Sequence, residues 1–200
     1  MRLFVAAYPD KEAIADLHRL VDTLAVAQPM PPGKSTRLQP PERWHLTLAF
    51  LGDVPDQAAS KAASAMQAAW QAGSLDGSRR RPGPIADARP ALALAGGGSF
   101  GRGRFTVLWV GLRGDLDGLA ALATSVRREL KRAKLAFDAK PYRPHLTIAR
   151  PGDRLTREQL DADQALLDAY QGPQWTINGL CLVRSYLGPK PRYETVASTR

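Results

Sequence analysis

The chain carries a copy of one of its own segments. Residues 43–52, RWHLTLAFLG, align with residues 143–152, RPHLTIARPG, with Arg, His, Leu, Thr, Ala and Gly identical at six of ten offsets and Leu48 matched by Ile148. A repeat about a hundred residues apart implies two structurally equivalent halves, since the same local pattern favours the same supersecondary unit twice. Two of the three histidines, His45 and His145, occupy the same place in the two copies. Side chains alternate along a strand, so His45 and Thr47 share one face while Leu46 and Leu48 take the other; His145 and Thr147 share a face in the same way. A pseudo-twofold axis between the copies would bring two imidazoles and two hydroxyls to one cleft sized for a small anion.

The residue types suit a phosphate. Histidine, with an unperturbed pKa of about 6.5, lets one copy donate a proton while the other accepts one near neutral pH. Threonine hydroxyls and strand amides can hold non-bridging phosphate oxygens. No carboxylate or third histidine lies at ligand spacing beside the pair, so acid–base chemistry without a metal or cofactor is expected. His18 has no repeated context and lies at the edge of an apolar helical stripe, which makes it structural. Gly96, Gly98 and Gly101 match G-x-G-x-x-G, yet they lead into the apolar run 106–112 instead of a helix, so no helix N-terminus is available for a pyrophosphate and they read as a flexible turn.

Strand and helix signals alternate. Residues 2–8 read as a buried strand, followed by a helix capped by Asp10 with Ile14, Leu17, Val21 and Leu24 on its apolar side. The repeat segment 43–52 is the next strand, and Asp56 can open an Ala-rich helix to about residue 71. Residues 72–90, with Arg79, Arg80 and Arg81, read as an exposed loop. Strands are expected at 91–95 and 106–112, then a helix at about 117–134 with Leu119, Leu122, Val126 and Leu130 inward. Its other face, Arg127, Arg128, Lys131, Arg132 and Lys134, is read first as solvated and second as facing RNA. A strand at 145–150, a helix opened by a Thr156 and Gln159 capping box, and strands at 175–187 and 192–198 complete the pattern. Several strands follow one another through connections too short for a crossover helix. An α+β fold with largely antiparallel sheets around a central cleft is therefore expected, as a single domain over residues 1–200 whose two lobes each supply one histidine motif.

Composition narrows the class. Hydrophobic residues make up 44% and charged residues 24%, the balance of a folded globular chain. No apolar run approaches a membrane span, and the apolar stretch before Pro9 is too short for a signal-peptide core, so a cytoplasmic protein is expected. The formal charge of +9 points to an anionic partner. The single cysteine, Cys181, lies in an apolar run and reads as a buried thiol, which removes disulfides and multi-cysteine metal sites.

The paired HLTL and HLTI tetrapeptides, each H-x-T-x, resemble the 2H phosphoesterase superfamily, and within it the RNA 2′,3′-cyclic phosphodiesterases, also called 2′-5′ RNA ligases. RLFVAAYP, HLTLAFLGDV, VLWVGL, RPHLTIAR and SYLGPKPRYE follow the order of that family's landmarks. The resemblance implies a two-lobed, pseudo-symmetric fold that hydrolyses an RNA 2′,3′-cyclic phosphate to a 2′-phosphate without metal or cofactor. It implies His45 as proton donor to the departing 3′ oxygen, His145 as proton acceptor from water, and Thr47, Thr147 and Arg150 as the phosphate cradle. Arg150 lies five positions after His145, so a regular strand would turn it to the opposite face; a bulge or strand end is needed. Phe4 and Tyr193 are candidates to stack on a base or to pack in the core. The chain departs from the family pattern where Phe100 is followed by Gly101 and where PKPRY lacks a glycine. The same acid and base serve ligation of RNA halves to a 2′-5′ linkage, with a 5′-hydroxyl in place of water, and a non-catalytic RNA-binding module is the third reading. A self-contained duplicated site predicts a monomer with no obligate protein partner and no membrane.

Overall fold

The computed structural model describes residues 1–75, 89–188 and 191–200. Strand β1 (Arg2–Ala7), helix α1 (Lys11–Val21), strand β2 (Leu46–Asp53) and helix α2 (Ala58–Leu75) lead to β3 (Ala91–Phe100). The order strand, helix, strand, helix then recurs as β4 (Val107–Gly114), α3 (Leu116–Arg132), β5 (Leu146–Ala149) and α4 (Arg157–Ala169). Strands β6 (Gln171–Thr176), β7 (Cys181–Tyr186) and β8 (Arg192–Ser198) follow. The repeat read from ten residues thus extends to four successive elements.

Side chains fix the helix starts. The Asp10 carboxylate accepts from the Ala13 amide at 2.8 Å and Asp115 accepts from Gly118 at 2.9 Å. Thr156 and Gln159 form the expected reciprocal capping box. The apolar stripe of α3, Leu119, Leu122, Val126 and Leu130, is buried as its spacing requires.

Among the described residues the eight strands form one antiparallel sheet in the order β6-β3-β4-β5-β2-β1-β7-β8. The fold is α+β. Four strands lie on each side of the junction between β5 and β2, and that junction is one residue pair, Leu46 with Leu146. Helices α1 and α4 pack toward β3 and β6, while α2 and α3 pack on each other behind β2, β7 and β8. This leaves the sheet with one face toward the helices and one free of them. The main core lies on the helix side, where Leu3, Val5, Leu46, Leu48, Leu108, Val110, Leu146 and Ile148 are fully buried, each burial contributing about 1.5–3 kcal/mol. A smaller cluster of Phe4, Ala6 and Val183, flanked by Tyr8, Phe50, Cys181 and Tyr193, occupies the other face.

Three expectations change. The run 175–187 is not one strand: β6 ends at Thr176 and β7 starts at Cys181. Ile177 and Leu180 are both fully buried, a spacing of three that alternation cannot satisfy, and the chain there leaves the β6 edge to reach β1 at the far half of the sheet. The glycine run is also different, since Gly96, Gly97 and Gly98 belong to β3, while Gly101 and Gly103 lie in the connection. A Cβ on Gly97 would meet the Leu167 Cβ at 2.5 Å, and one on Gly98 would meet the Trp109 ring at 2.9 Å. Absent side chains let α4 and Trp109 lie close against the strand. Residues 72–75, read as loop, continue α2; Arg79, Arg80 and Arg81 lie outside the described residues.

Candidate active site

Both histidines stand one residue ahead of a strand. The expected strand at 43–52 begins only at Leu46, because Pro41–Arg43 forms a short 3-10 turn, and β5 likewise begins at Leu146. The two copies of the segment adopt the same burial pattern: His and Thr partly exposed, with Leu46, Leu48 and Ala49, or Leu146, Ile148 and Ala149, buried.

The local geometry is also duplicated. His45 Nδ1 lies 2.6 Å from the Arg43 carbonyl, and His145 Nδ1 lies 2.8 Å from the Arg143 carbonyl. A carbonyl only accepts, so each Nδ1 carries the proton and each Nε2 is left to exchange one. The shared Arg at the first position of the repeat therefore supplies a backbone acceptor. His45 Nε2 lies 3.1 Å from Thr47 Oγ1, so the two side chains share a face as the alternation predicts.

Register sets the spacing between copies. Leu46 pairs with Leu146 in antiparallel sense, so by register His45 stands across from Thr147 and His145 across from Thr47. The two histidine positions are then diagonal neighbours, about 7–8 Å apart in a regular sheet, on the face opposite the leucines.

By register, position 150 falls on this face. Against β4 the register of β5 shifts, Trp109 pairing with Thr147 but Leu108 with Ala149, which makes a bulge at Ile148. Ile148 and Ala149 both turn into the core, and the next position returns to the histidine side. β2 does the same against β1, where Ala6 pairs with Thr47 and Val5 with Ala49; Leu48 and Ala49 are buried and Phe50 emerges in the small cluster beside Phe4. Arg150, just past the end of β5, is the exposed counterpart of Phe50.

The two imidazoles have different walls. His45 stacks on Phe4 with ring centroids 4.8 Å apart, and meets Tyr193 at 5.6 Å and Tyr8 at 5.8 Å. Among the described residues His145 meets one ring, Phe100, edge to face at 5.0 Å, and Phe100 stacks on Trp109. Burial among rings pulls the His45 pKa down from 6.5 to about 4; the hydrogen bond to Arg43 opposes this, and the nearby charge of His145 adds to it. Burial likewise raises the Tyr8 phenol to about 12, helped by Cys181 and Tyr193, so it stays a neutral donor beside His45. Sequence reasoning named Phe4 and Tyr193 but passed over Tyr8 and Phe100, whose only signal was apolar or aromatic character next to strands of the repeat.

Other candidates fall elsewhere. His18 Nε2 lies 3.5 Å from Asp22, and its ring meets the edge of Trp44. Cys181 is a free, half-buried thiol on the cluster side of the sheet, less enclosed than its apolar run suggested because β7 alternates and Leu182 takes the core side. Arg127 is not part of a free basic face: its guanidinium donates to the carbonyls of Leu48 and Lys140 and lies over Tyr142. Arg128 and Arg132 pair with Glu129. Among the described residues no three His, Cys, Asp or Glu side chains are grouped to hold a metal. No helix among them is long and apolar enough to cross a membrane.

The antiparallel sheet carries two H-x-T-x motifs across its central junction, and the chain belongs to the 2′-5′ RNA ligase superfamily, whose family model matches residues 43–189. Among characterised relatives, an RNA 2′,3′-cyclic phosphodiesterase of Geobacillus stearothermophilus is 31% identical over 162 residues, 78% of this chain and 45% of that protein. One of the same name from Escherichia coli K12 is 32% identical over 132 residues, 66% of this chain and 59% of its own. The chain thus spans about half the length of these relatives. In fold it matches E. coli LigT in complex with 3′-AMP, with a TM-score of 0.63 at 24% identity, over 98% of this chain and 95% of that one.

Proposed function

We propose that this protein hydrolyses RNA 2′,3′-cyclic phosphate ends to 2′-phosphate ends, without metal or cofactor, through His45 and His145. Residues 1–200 act as one domain in which each lobe supplies one H-x-T-x motif. Water attacks phosphorus as His145 Nε2 takes its proton. The new P–O bond forms while the bond to the 3′ oxygen breaks, and His45 Nε2 protonates that leaving oxygen. One water is consumed, and the 3′-hydroxyl and 2′-phosphate leave with the protons exchanged between the two rings. Thr47, Thr147 and Arg150 hold the non-bridging oxygens and their developing charge. The observation that carries this reading is the duplicated histidine geometry, with each Nδ1 pinned by a backbone carbonyl so that each Nε2 is the nitrogen left to exchange a proton.

The depressed pKa of His45 looks wrong for a donor until the substrate is added. A phosphate anion about 4 Å from the ring at an effective dielectric of about 20 stabilises the imidazolium by about 4 kcal/mol. That corresponds to roughly three pKa units, enough to return a pKa of about 4 to the neutral range. Substrate binding thus loads the acid. The reaction belongs in the cytoplasm, on a monomer that needs no obligate protein partner.

The test is an oligoribonucleotide ending in a 2′,3′-cyclic phosphate, incubated with the protein in the presence of a chelator. A 2′-phosphate product is expected, with activity abolished by His145→Ala. No turnover in chelator, restored by a divalent metal, overturns the mechanism. Abundant 2′-5′ joined product with paired RNA halves would make ligation the principal reaction; water at about 55 M favours hydrolysis unless the RNA end is held.

A further inference from the structure

Beyond the cradle of the reacting phosphate, the structure assigns a second contact region, a track for the RNA strand on the 5′ side of the terminal nucleotide, built on the turn between β3 and β4. It rests on the proposed activity at RNA ends. The turn starts at Phe100, whose ring meets His145, and it carries Arg102, Arg104 and Phe105. Phe105 is 67% exposed, an unusual placement for a phenylalanine, and the Arg104 guanidinium lies 4.8 Å from its ring centroid. The turn is built to hold this geometry. Gly101 has φ +74°, and a Cβ there would stand 2.4 Å from the Phe105 carbonyl oxygen. The buried Thr106 donates from both its amide and its hydroxyl to the Gly103 carbonyl.

The tip also sits beside the end of the strand that carries His145 and Thr147. Gly152, in the turn after β5, faces the Arg104 backbone, where an added Cβ would lie 3.2 Å from the Arg104 carbonyl oxygen. On the other side, Leu38 bridges to Ala149 and the Arg37 carbonyl accepts from the Arg150 amide. Arg37, Arg102, Arg104 and Arg150 are all exposed, and among the described residues none of them pairs with a carboxylate. Asp153, next to Gly152 in the turn after β5, is paired with Arg154. An exposed ring with the Arg104 guanidinium over it, on a turn that also carries Arg102 and beside a strand end that carries Arg150 next to Arg37, supplies the chemistry that binds single-stranded nucleic acid: base on the aromatic face, phosphates on the arginines. Arg150 stands where the cradle meets the track; Phe105 stacks a base, and Arg37, Arg102 and Arg104 hold phosphates upstream.

Two substrates separate this track from the catalytic site: a mononucleoside 2′,3′-cyclic phosphate, which reaches only the cradle, and a hexaribonucleotide with the same terminus. Phe105→Ala should raise KM for the hexamer roughly ten-fold, the usual scale of one lost base stack, and leave both constants for the mononucleotide unchanged. Arg102→Ala with Arg104→Ala should flatten the salt dependence of kcat/KM on the hexamer alone. Equal effects on both substrates, or none on the hexamer, overturn the track. Fluorescence anisotropy of a labelled hexamer ending in a 3′-hydroxyl gives the same comparison without turnover. Weaker binding by Phe105→Ala there supports the track even if the wild type hydrolyses neither substrate, a result that would remove the catalytic reading by itself; unchanged binding rejects it.

Discussion

Lowering the pH should weaken this protein through His45 more than through an ordinary surface histidine. The ring has a pKa of about 4 in the folded chain and about 6.5 when unfolded, because it is half-buried against Phe4, Tyr8 and Tyr193 with His145 nearby. Between those values the unfolded state holds a proton that the native state refuses, so stability rises with pH across this window and is lost as pH falls from about 6.5 toward 4. From pH 7.5 to 4.5 the loss is about two pKa units at 1.36 kcal/mol each, or about 2.7 kcal/mol. For a chain of 200 residues this is a fall in Tm of roughly 5–10 °C. Carboxylates titrate in the same range, so the quantity to read is the difference between wild type and His45→Gln, which removes this titration alone. Thermal melts of both proteins at pH 7.5 and 4.5 should show the variant losing distinctly less on acidification. Parallel losses would mean that the ring carries no burial penalty, and the argument that substrate loads the acid would fall with it.

Asp163 is 1% exposed, and its carboxylate accepts from the amides of Ala25 and Val26 at 2.7 and 2.9 Å, which ties α4 to the segment after α1. Asp163→Ala should cost about 3 kcal/mol, read from chemical denaturation, and a change below about 0.5 kcal/mol would contradict that role. Gly97→Ala drives a methyl into Leu167 and should lower stability by about 1–3 kcal/mol with an unchanged m-value. His145→Gln should reduce kcat/KM on a cyclic-phosphate end by 10²- to 10⁴-fold while leaving the far-UV circular dichroism as it is.

The histidine pair was legible because it is written twice, and a repeat converts two weak local signals into one geometric statement. Helix starts were legible for a simpler reason: Asp10 and Thr156 act within three residues of themselves. The aromatic wall was not, since Phe4, Tyr8 and Tyr193 come together only through the pairing of β1 with β7 and of β7 with β8, contacts that no local pattern encodes. The bulges left a trace that a strict alternation rule overlooks. Leu48 with Ala49, and Ile148 with Ala149, are adjacent apolar residues inside otherwise alternating strands, and both of each pair are buried. That trace is what returns position 150, by register, to the histidine face. The glycines of β3 misled because glycine marks turns and also marks close approach; only the far partners, Leu167 and Trp109, distinguish the two.

The order of strands has a consequence for synthesis. β3 to β6, an unbroken stretch of chain, complete one side of the sheet, whereas β1 and β2 must wait for β7 and β8, which are made last. At about 5–20 residues per second, the outer edge of β1 stays uncovered for roughly 7–30 seconds after β2 has emerged. An open edge of that kind templates pairing with other nascent chains. Products truncated before Cys181 should therefore be insoluble, while a circular permutant that begins at β7 would close the β1 edge from the start.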